Sequence, residues 1–272
     1  MPFYTVRQKF GKITFRLASA LSLTLIAILL WKALADATAA YDWHWNRIWR
    51  YVGSYGPDGF MAGPIIKGLV VTLEITVAGL VFSILCGLLS SLLRLSPWPL
   101  CVLISKTYVT LIRSTPLLLQ LFIAYFLISP ALNLSPLPTA ISALALFEGA
   151  FFAEIFRSGI LSVHKNQWEA ALSLGFSLQS AFFLVILPQT VRNILPSLGN
   201  QAIALLKDST LVSAIAVADL TMQSQAIVAE SFLAFETWLL AGAIYLVLAL
   251  FISLPAMWLE KTQRVKQRAR KI

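Results

Sequence analysis

A few ionisable and amide side chains stand inside stretches that are otherwise apolar. Glu148 lies in the middle of 139–155, and Asn200, Lys207, Asp208 and Ser209 fall in the second half of 189–211. A carboxylate at the centre of a membrane span costs roughly 2.5 to 3.5 kcal/mol on insertion scales, so it normally faces a partner or a water-filled path. The chemistry open to such a set is non-covalent: holding a polar solute in transit, or an interhelical hydrogen bond. If a helix rises from Arg192, Lys207 lies about 22 Å up its axis, and Asn200, seven residues earlier, shares its face. Glu148, Asn200, Lys207, Asp208 and Ser209 are therefore the expected substrate-path residues. Charge does not name the solute, since Glu148 suits a cation and Lys207 an anion.

The elements that must position these groups are membrane helices. The chain has 272 residues, is 58% hydrophobic and only 12% charged, and carries its apolar residues in long blocks. That pattern excludes a soluble domain. The net charge of +9 does not imply nucleic acid, because the basic residues gather at both ends and in short connectors, as the positive-inside rule requires. Cys86 and Cys101 form neither a disulfide framework nor a metal-ligand spacing, and read as small packing residues. His44 has no partner at metal spacing, so no metal is expected.

The N-terminal run 17–34 could serve as a cleaved signal, but it is long enough to span and is expected to be retained. Tyr41–Tyr55 is dense in tryptophan and reads as an aromatic belt at the outer surface. Further spans are expected at about 69–93, from Pro116 onward, at 139–155, from Arg192 onward and at 238–258. Six spans with both termini cytoplasmic satisfy the charge bias. Segments 36–63, 130–138 and 222–237 then face outward, with Asp219, Glu230 and Glu236 forming an acidic outer connector. Segments 94–99, 157–192 and the basic tail face inward. Glu154 and Arg157, three apart, read as an ion pair on one helix face.

One long segment is too polar and broken to cross: Trp168–Pro188. Glu169 suits the front of a short helix, Gly175 supplies a sharp turn, and Pro188 is expected to stop a second short helix. The spacing from Glu169-Ala170-Ala171 through Gly175 to Val185-Ile186-Leu187-Pro188 resembles the cytoplasmic EAA loop of importer permeases of the ATP-binding-cassette (ABC) class. Val185 stands where that family usually has Ile. Arg113-Ser114-Thr115-Pro116-Leu117-Leu118-Leu119-Gln120-Leu121, Ala150–Ile160 and Gln189–Leu211 resemble further segments of the polar-amino-acid permeases, over about 67–260.

The resemblance implies an all-α integral membrane fold of the type I importer permease kind, with about six transmembrane helices and a cytoplasmic helix-turn-helix. It divides the chain into 1–63, a first span with an outer aromatic segment; 64–260, the permease domain; and 261–272, a basic cytoplasmic tail. It implies a non-enzymatic permease subunit in a bacterial inner membrane, forming the translocation path for polar amino acids. No phosphate-binding Gly-x-x-x-x-Gly-Lys-Ser/Thr segment is present, so ATP and Mg belong to a separate ATPase. Glu169, Ala170, Ala171, Gly175, Val185, Leu187 and Pro188 are the implied coupling residues. The implied partners are ABC ATPase subunits, a second permease subunit, identical or homologous, and a periplasmic amino-acid-binding protein. The rival reading is an ion- or proton-coupled secondary transporter using Glu74, Glu148 and Asp208 as a relay.

Overall fold

The computed structural model describes residues 21–29, 31, 32, 35, 36, 39, 41–57 and 59–269, with side chains as far as residue 255. The chain forms two compact units, 1–45 and 46–272. In the first, residues 21–29 are helical, and the Trp43 and Trp45 rings stack 5.8 Å apart. The expected first span, 17–34, lies largely outside the described residues.

The second unit starts with a short helix, α1 (Trp45–Val52), and an antiparallel hairpin of β1 (Gly53–Gly56) and β2 (Gly59–Ala62). This short hairpin is the one pair of strands among the described residues of an otherwise helical chain, whose helical membrane fold is as expected. Glycines at both ends and the aromatic pair Tyr55 and Phe60 favour strands over helix there.

The remaining elements are helices: α2 (Pro64–Leu95), α3 (Pro99–Ser114), α4 (Leu117–Ile123), α5 (Ser129–Leu132), α6 (Pro136–Leu161), α7 (Lys165–Ser173), α8 (Leu178–Ala181), α9 (Leu187–Asp208), α10 (Leu220–Ser231) and α11 (Ala234–Ala269). Among the described residues four helical runs are long and apolar enough to cross a membrane: 64–95, 136–161, 178–215 and 234–255. A fifth is the pair α3 and α4–α5, bent by 107° where Thr115-Pro116 interrupts it. Helix α3 has no counterpart among the expected spans. Its Ser105 bonds Ser90, and its Val109 packs on Ala150 and Ala153, while its Arg113 covers the Phe151 ring. The nine residues Ser105–Arg113 of α3 thus stay within about a turn of one level of the bundle, so this helix runs across α2 and α6.

Helices α2 and α6 are parallel neighbours. Ile75 meets Ala140–Leu144 near one end, and Gly87 meets Gly149–Ala153 nearer the other. A Cβ on Gly87 would stand 2.5 Å from that of Phe152, and one on Gly149 would stand 2.8 Å from that of Cys86. Small residues are what lets two backbones approach in lipid, where apolar burial gives helices no reason to prefer each other over acyl chains.

At one end of the bundle lie the 95–99 turn and the α7–α8 loop. At the opposite end α1 packs Ile48 and Tyr51 against Ile65, Leu220, Ile227 and Leu233. There Asp219 caps α10 by accepting the Met222 N–H at 2.8 Å, and the Leu220 N–H donates to Thr72 Oγ1 at 3.0 Å. Asp219 and Glu236 are fully buried. These two residues of the expected acidic outer connector are buried because each carboxylate sits at a helix start, where free N–H groups and the dipole favour it.

Burial pushes the Asp219 carboxyl above its ordinary value, against the lowering effect of its hydrogen bonds to Met222 and Thr221. The folded state therefore holds this proton more tightly than the unfolded chain. Its contribution is fully present below the unfolded pKa and is lost as pH rises through the folded one. At neutral pH, Asp219→Ala should cost about 1 kcal/mol of stability through the lost cap, while Asp219→Asn keeps an acceptor and sheds the buried charge. Thermal unfolding in detergent checks this; an equal loss in both variants would show that the cap is irrelevant.

Candidate functional site

Glu148 sits midway along α6, beside Gly149, and none of it is exposed. Its Oε2 accepts a hydrogen bond from Gln201 Nε2 of α9, and Asp208 of the same helix approaches it closely enough to act on its charge. Its Oε1 is buried without an adequate hydrogen-bond partner among the described residues. Such an atom in a membrane interior is a strong acceptor awaiting a donor.

Among the expected path residues, the structure brings together Glu148 and Asp208. Ser209 is buried nearby in sequence and donates to the Leu206 carbonyl at 2.8 Å. Asn200 and Lys207 are exposed and do not join. Gln201, which sequence reasoning missed, takes their place. The signal was the same seven-residue repeat read one position later, at Gln201 and Asp208, and one position on a helix is a rotation of about 100°. Glu74, the third carboxylate of the rival reading, is exposed on α2, whereas Glu148 is fully buried.

The loop between α6 and α9 is a helix-turn-helix, as expected. Helix α7 begins at His164, whose Nδ1 accepts the Asn166 N–H. Glu169 is therefore in the second turn and not at the front; it pairs with Lys165 at 3.3 Å instead of relying on the dipole. Gly175 has φ +84° and ends α7. The Gly175 N–H donates to the Leu172 carbonyl at 3.0 Å and the Phe176 N–H to Ala171 at 3.2 Å, the paired closure of a helix by a left-handed glycine. Ser177 caps α8 by accepting the Ser180 N–H.

Pro188 does not stop the second helix. It lacks the N–H that would bond the Leu184 carbonyl, and its ring crowds that carbonyl. The chain widens into a π turn over Phe182–Ile186, closed by the Leu187 N–H on the Phe182 carbonyl, while the Gln189 side chain takes up the Val185 carbonyl at 2.8 Å. Helix continues unbroken from Leu178 to Ile215.

Ala171 is buried at 4% exposure, Val185 and Leu187 are half-buried, and Glu169, Ala170, Gly175 and Pro188 are exposed. The loop is braced to the bundle by the Trp168–Phe182 stack and by bonds from Gln189 to Gln167 and from Asn193 to Ser162. A cavity of about 790 Å³ separates it from Leu92 and Leu95. Leu174 (79% exposed), Phe176 and Leu178 project from its tip.

An apolar helical bundle with a buried polar node and a rigid two-helix loop at one end defines a membrane transport subunit. The model of the binding-protein-dependent transport system inner membrane component family matches residues 101–265. The glutamine transport system permease protein GlnP of Escherichia coli (strain K12) is 36% identical over 204 residues, covering 74% of this chain and 93% of its own. The L-cystine transport system permease protein TcyB of Bacillus subtilis (strain 168) is 42% identical over 171 residues, covering 62% and 73%. The crystal structure of an amino acid ABC transporter with histidines superposes with a TM-score of 0.69 at 38% identity, over 73% of this chain and 94% of that one. The inward-facing MetNI methionine ABC transporter shares the fold, with a TM-score of 0.61 at 18% identity over 73% and 95%. The chain belongs to the family of binding-protein-dependent transport system inner membrane components, the permeases of ABC importers.

The Gln201–Glu148 bond sets a stability expectation. Glu148→Ala strands the Gln201 amide and should cost about 1 to 3 kcal/mol, whereas Glu148→Gln keeps an acceptor and should unfold close to the wild type. Thermal unfolding of the purified protein checks both; a wild-type midpoint for Glu148→Ala would mean that the bond contributes nothing.

Proposed function

We propose that this permease forms the translocation path of an ATP-driven importer for polar amino acids and is driven through its Glu169–Pro188 loop. The observation that carries the reading is the continuous helix Leu178–Ile215, which joins the loop's second helix to the span bearing Gln201 and Asp208. A push on the loop moves a rod whose upper part holds the polar node. The exposed Leu174, Phe176 and Leu178 offer an apolar contact to a groove on a separate ATPase, which carries ATP and Mg. Arg157 and Lys165 are neutralised within the chain by Glu154 and Glu169, so apolar fit outweighs charge in this docking.

The path residues are Glu148, Gln201 and Asp208, with Lys207, Asn200 and Ser209 on adjoining faces. The unbonded Glu148 Oε1 suits the ammonium of an amino acid. Glutamine and cystine, named for two relatives, support polar amino acids as the class. A second permease subunit and a periplasmic binding protein complete the importer, in a bacterial inner membrane with both termini cytoplasmic. That orientation follows from the basic connectors and tail.

Gly175→Asp tests the coupling. No heavy atom lies within 4 Å of the site of its Cβ, so the substitution strains the backbone and adds a charge without disturbing the spans. Co-purifying ATPase and substrate-stimulated ATP hydrolysis should both fall by roughly tenfold; wild-type levels of both would make the loop a passive connector. A cysteine placed at Ser173 should react with an impermeant reagent only in inverted vesicles, and labelling of intact cells would reverse the topology. Glu148→Gln should change transport rate or selectivity at near-normal expression.

A further inference from the structure

Between the Glu148–Gln201 node and the loop, α6 and α9 run antiparallel, as the contacts of Gly159 with Ile194 and of Ser162 with Asn193 show. There they enclose a cavity of about 460 Å³, within the size range of small-molecule sites. Ser158 and Ser162 of α6 line it together with Asn193 and Ser197 of α9, and Ile155 and Ile194 form its apolar walls. All four polar residues are exposed. Gly159 lets Ile194 seat against α6, and the Asn193 amide donates to Ser162 Oγ at 3.2 Å, so the two helices are held together around the opening.

The cavity is in line with the node. Ile155 and Ser162 follow Glu148 at seven-residue steps, and Ile194 precedes Gln201 by seven, so each set keeps to one face of its helix. Ser197 and Asn193, four and eight residues before Gln201, lie toward the edge of α9 that also carries Asn200 and Lys207. Ser158 is ten residues past Glu148, or about 15 Å along the axis, which is half the thickness of the hydrocarbon core. At that level a polar pocket opens where the span meets water. Its lining begins at Ile155, so about 10 Å of packed helix separates it from Glu148.

We propose that this cavity is the exit vestibule of the translocation path, a low-affinity subsite for a zwitterionic amino acid leaving at the loop end; the inference rests on the importer reading. The chemistry of the lining carries it. Ser158 and Ser162 spend their protons on the Ile155 and Gly159 carbonyls at 3.1 and 2.7 Å, so toward a solute they are acceptors, as an ammonium requires. The Ser197 hydroxyl makes no hydrogen bond among the described residues and can donate to a carboxylate. No lining residue is charged, and the adjacent Glu154 and Arg157 neutralise each other. A neutral lining gives a zwitterion hydrogen bonds without an opposing charge, so it holds the solute more weakly than Glu148 and Asp208 do and lets it go. Joining the vestibule to the node requires α9 to shift against α6 over about two turns, the displacement that a push on the Leu178–Ile215 rod produces.

The test uses the complete importer, permease with ATPase and binding protein, in inverted membrane vesicles. In a Cys86→Ser/Cys101→Ser background, Ser197→Cys should react with an impermeant cationic thiosulfonate added from the loop side. A millimolar mixture of the polar L-amino acids should slow that reaction severalfold, and equimolar glycerol should not. If that variant does not fold, Ser158→Cys reports on the same cavity. In proteoliposomes, Ser158→Phe/Ser197→Phe should lower the maximal rate of ATP-driven uptake of the same labelled mixture severalfold. Half-saturation should stay unchanged, because capture is set by the binding protein at the opposite face. Purely structural damage would instead lower the melting temperature and the amount of co-purifying ATPase, and in that case the labelling result decides alone. No reaction at Ser197→Cys, or a reaction indifferent to amino acids, leaves at most a water-filled crevice and overturns the proposal. An undiminished maximal rate in the phenylalanine variant overturns it as well. Absence of ATP-driven uptake by the wild type would sink the importer reading itself, a distinct outcome.

Discussion

The fold depends on the seam between α2 and α6. Gly87 and Gly149 have no side chains, so two parallel helices can touch along much of their length, and in lipid that close dispersion contact replaces the hydrophobic drive available in water. Everything of functional interest is referenced to this seam. Glu148 is the residue before Gly149, and its burial follows from the closeness of the two backbones. The same contact gives α3 a surface to lie across.

A second constraint, that no water is present to satisfy polar groups, explains how the spans tolerate so many of them. Thr76, Ser83 and Ser224 bond carbonyls one turn back on their own helices. Ser90 and Ser105 bond each other across α2 and α3. Thr72 takes the otherwise free N–H at the start of α10. Among the described residues three buried side-chain oxygens are left unbonded, Glu148 Oε1 and the hydroxyls of Thr190 and Thr237, and the carboxylate oxygen is the strongest acceptor of the three.

Two of the prolines widen a helix where Pro116 breaks one. Pro130 and Pro188 each follow a π turn, over Ala124–Ile128 and Phe182–Ile186, by two residues. In each case the missing N–H and the crowded carbonyl four residues back widen one turn without breaking the rod. At Pro188 the widened turn sits between the loop and the span. The backbone stays hydrogen-bonded through the widened turn, and a cavity of about 790 Å³ lies between the loop and Leu92 and Leu95.

The sequence by itself determined the class, the approximate spans, the helix-turn-helix and the left-handed turn at Gly175. It also determined the Glu154–Arg157 pair. These follow from apolar block length, local spacing and backbone sterics, which need no knowledge of distant residues. Only the tertiary structure decided which face of α9 meets α6, since one residue rotates that face by about 100° and both Asn200/Lys207 and Gln201/Asp208 keep the same spacing. It likewise decided that α3 lies across the bundle and that Asp219 and Glu236 are buried caps. Those outcomes rest on contacts between residues far apart in the chain, such as Arg113 with Phe151 and Thr72 with Leu220, and local pattern carries no information about them.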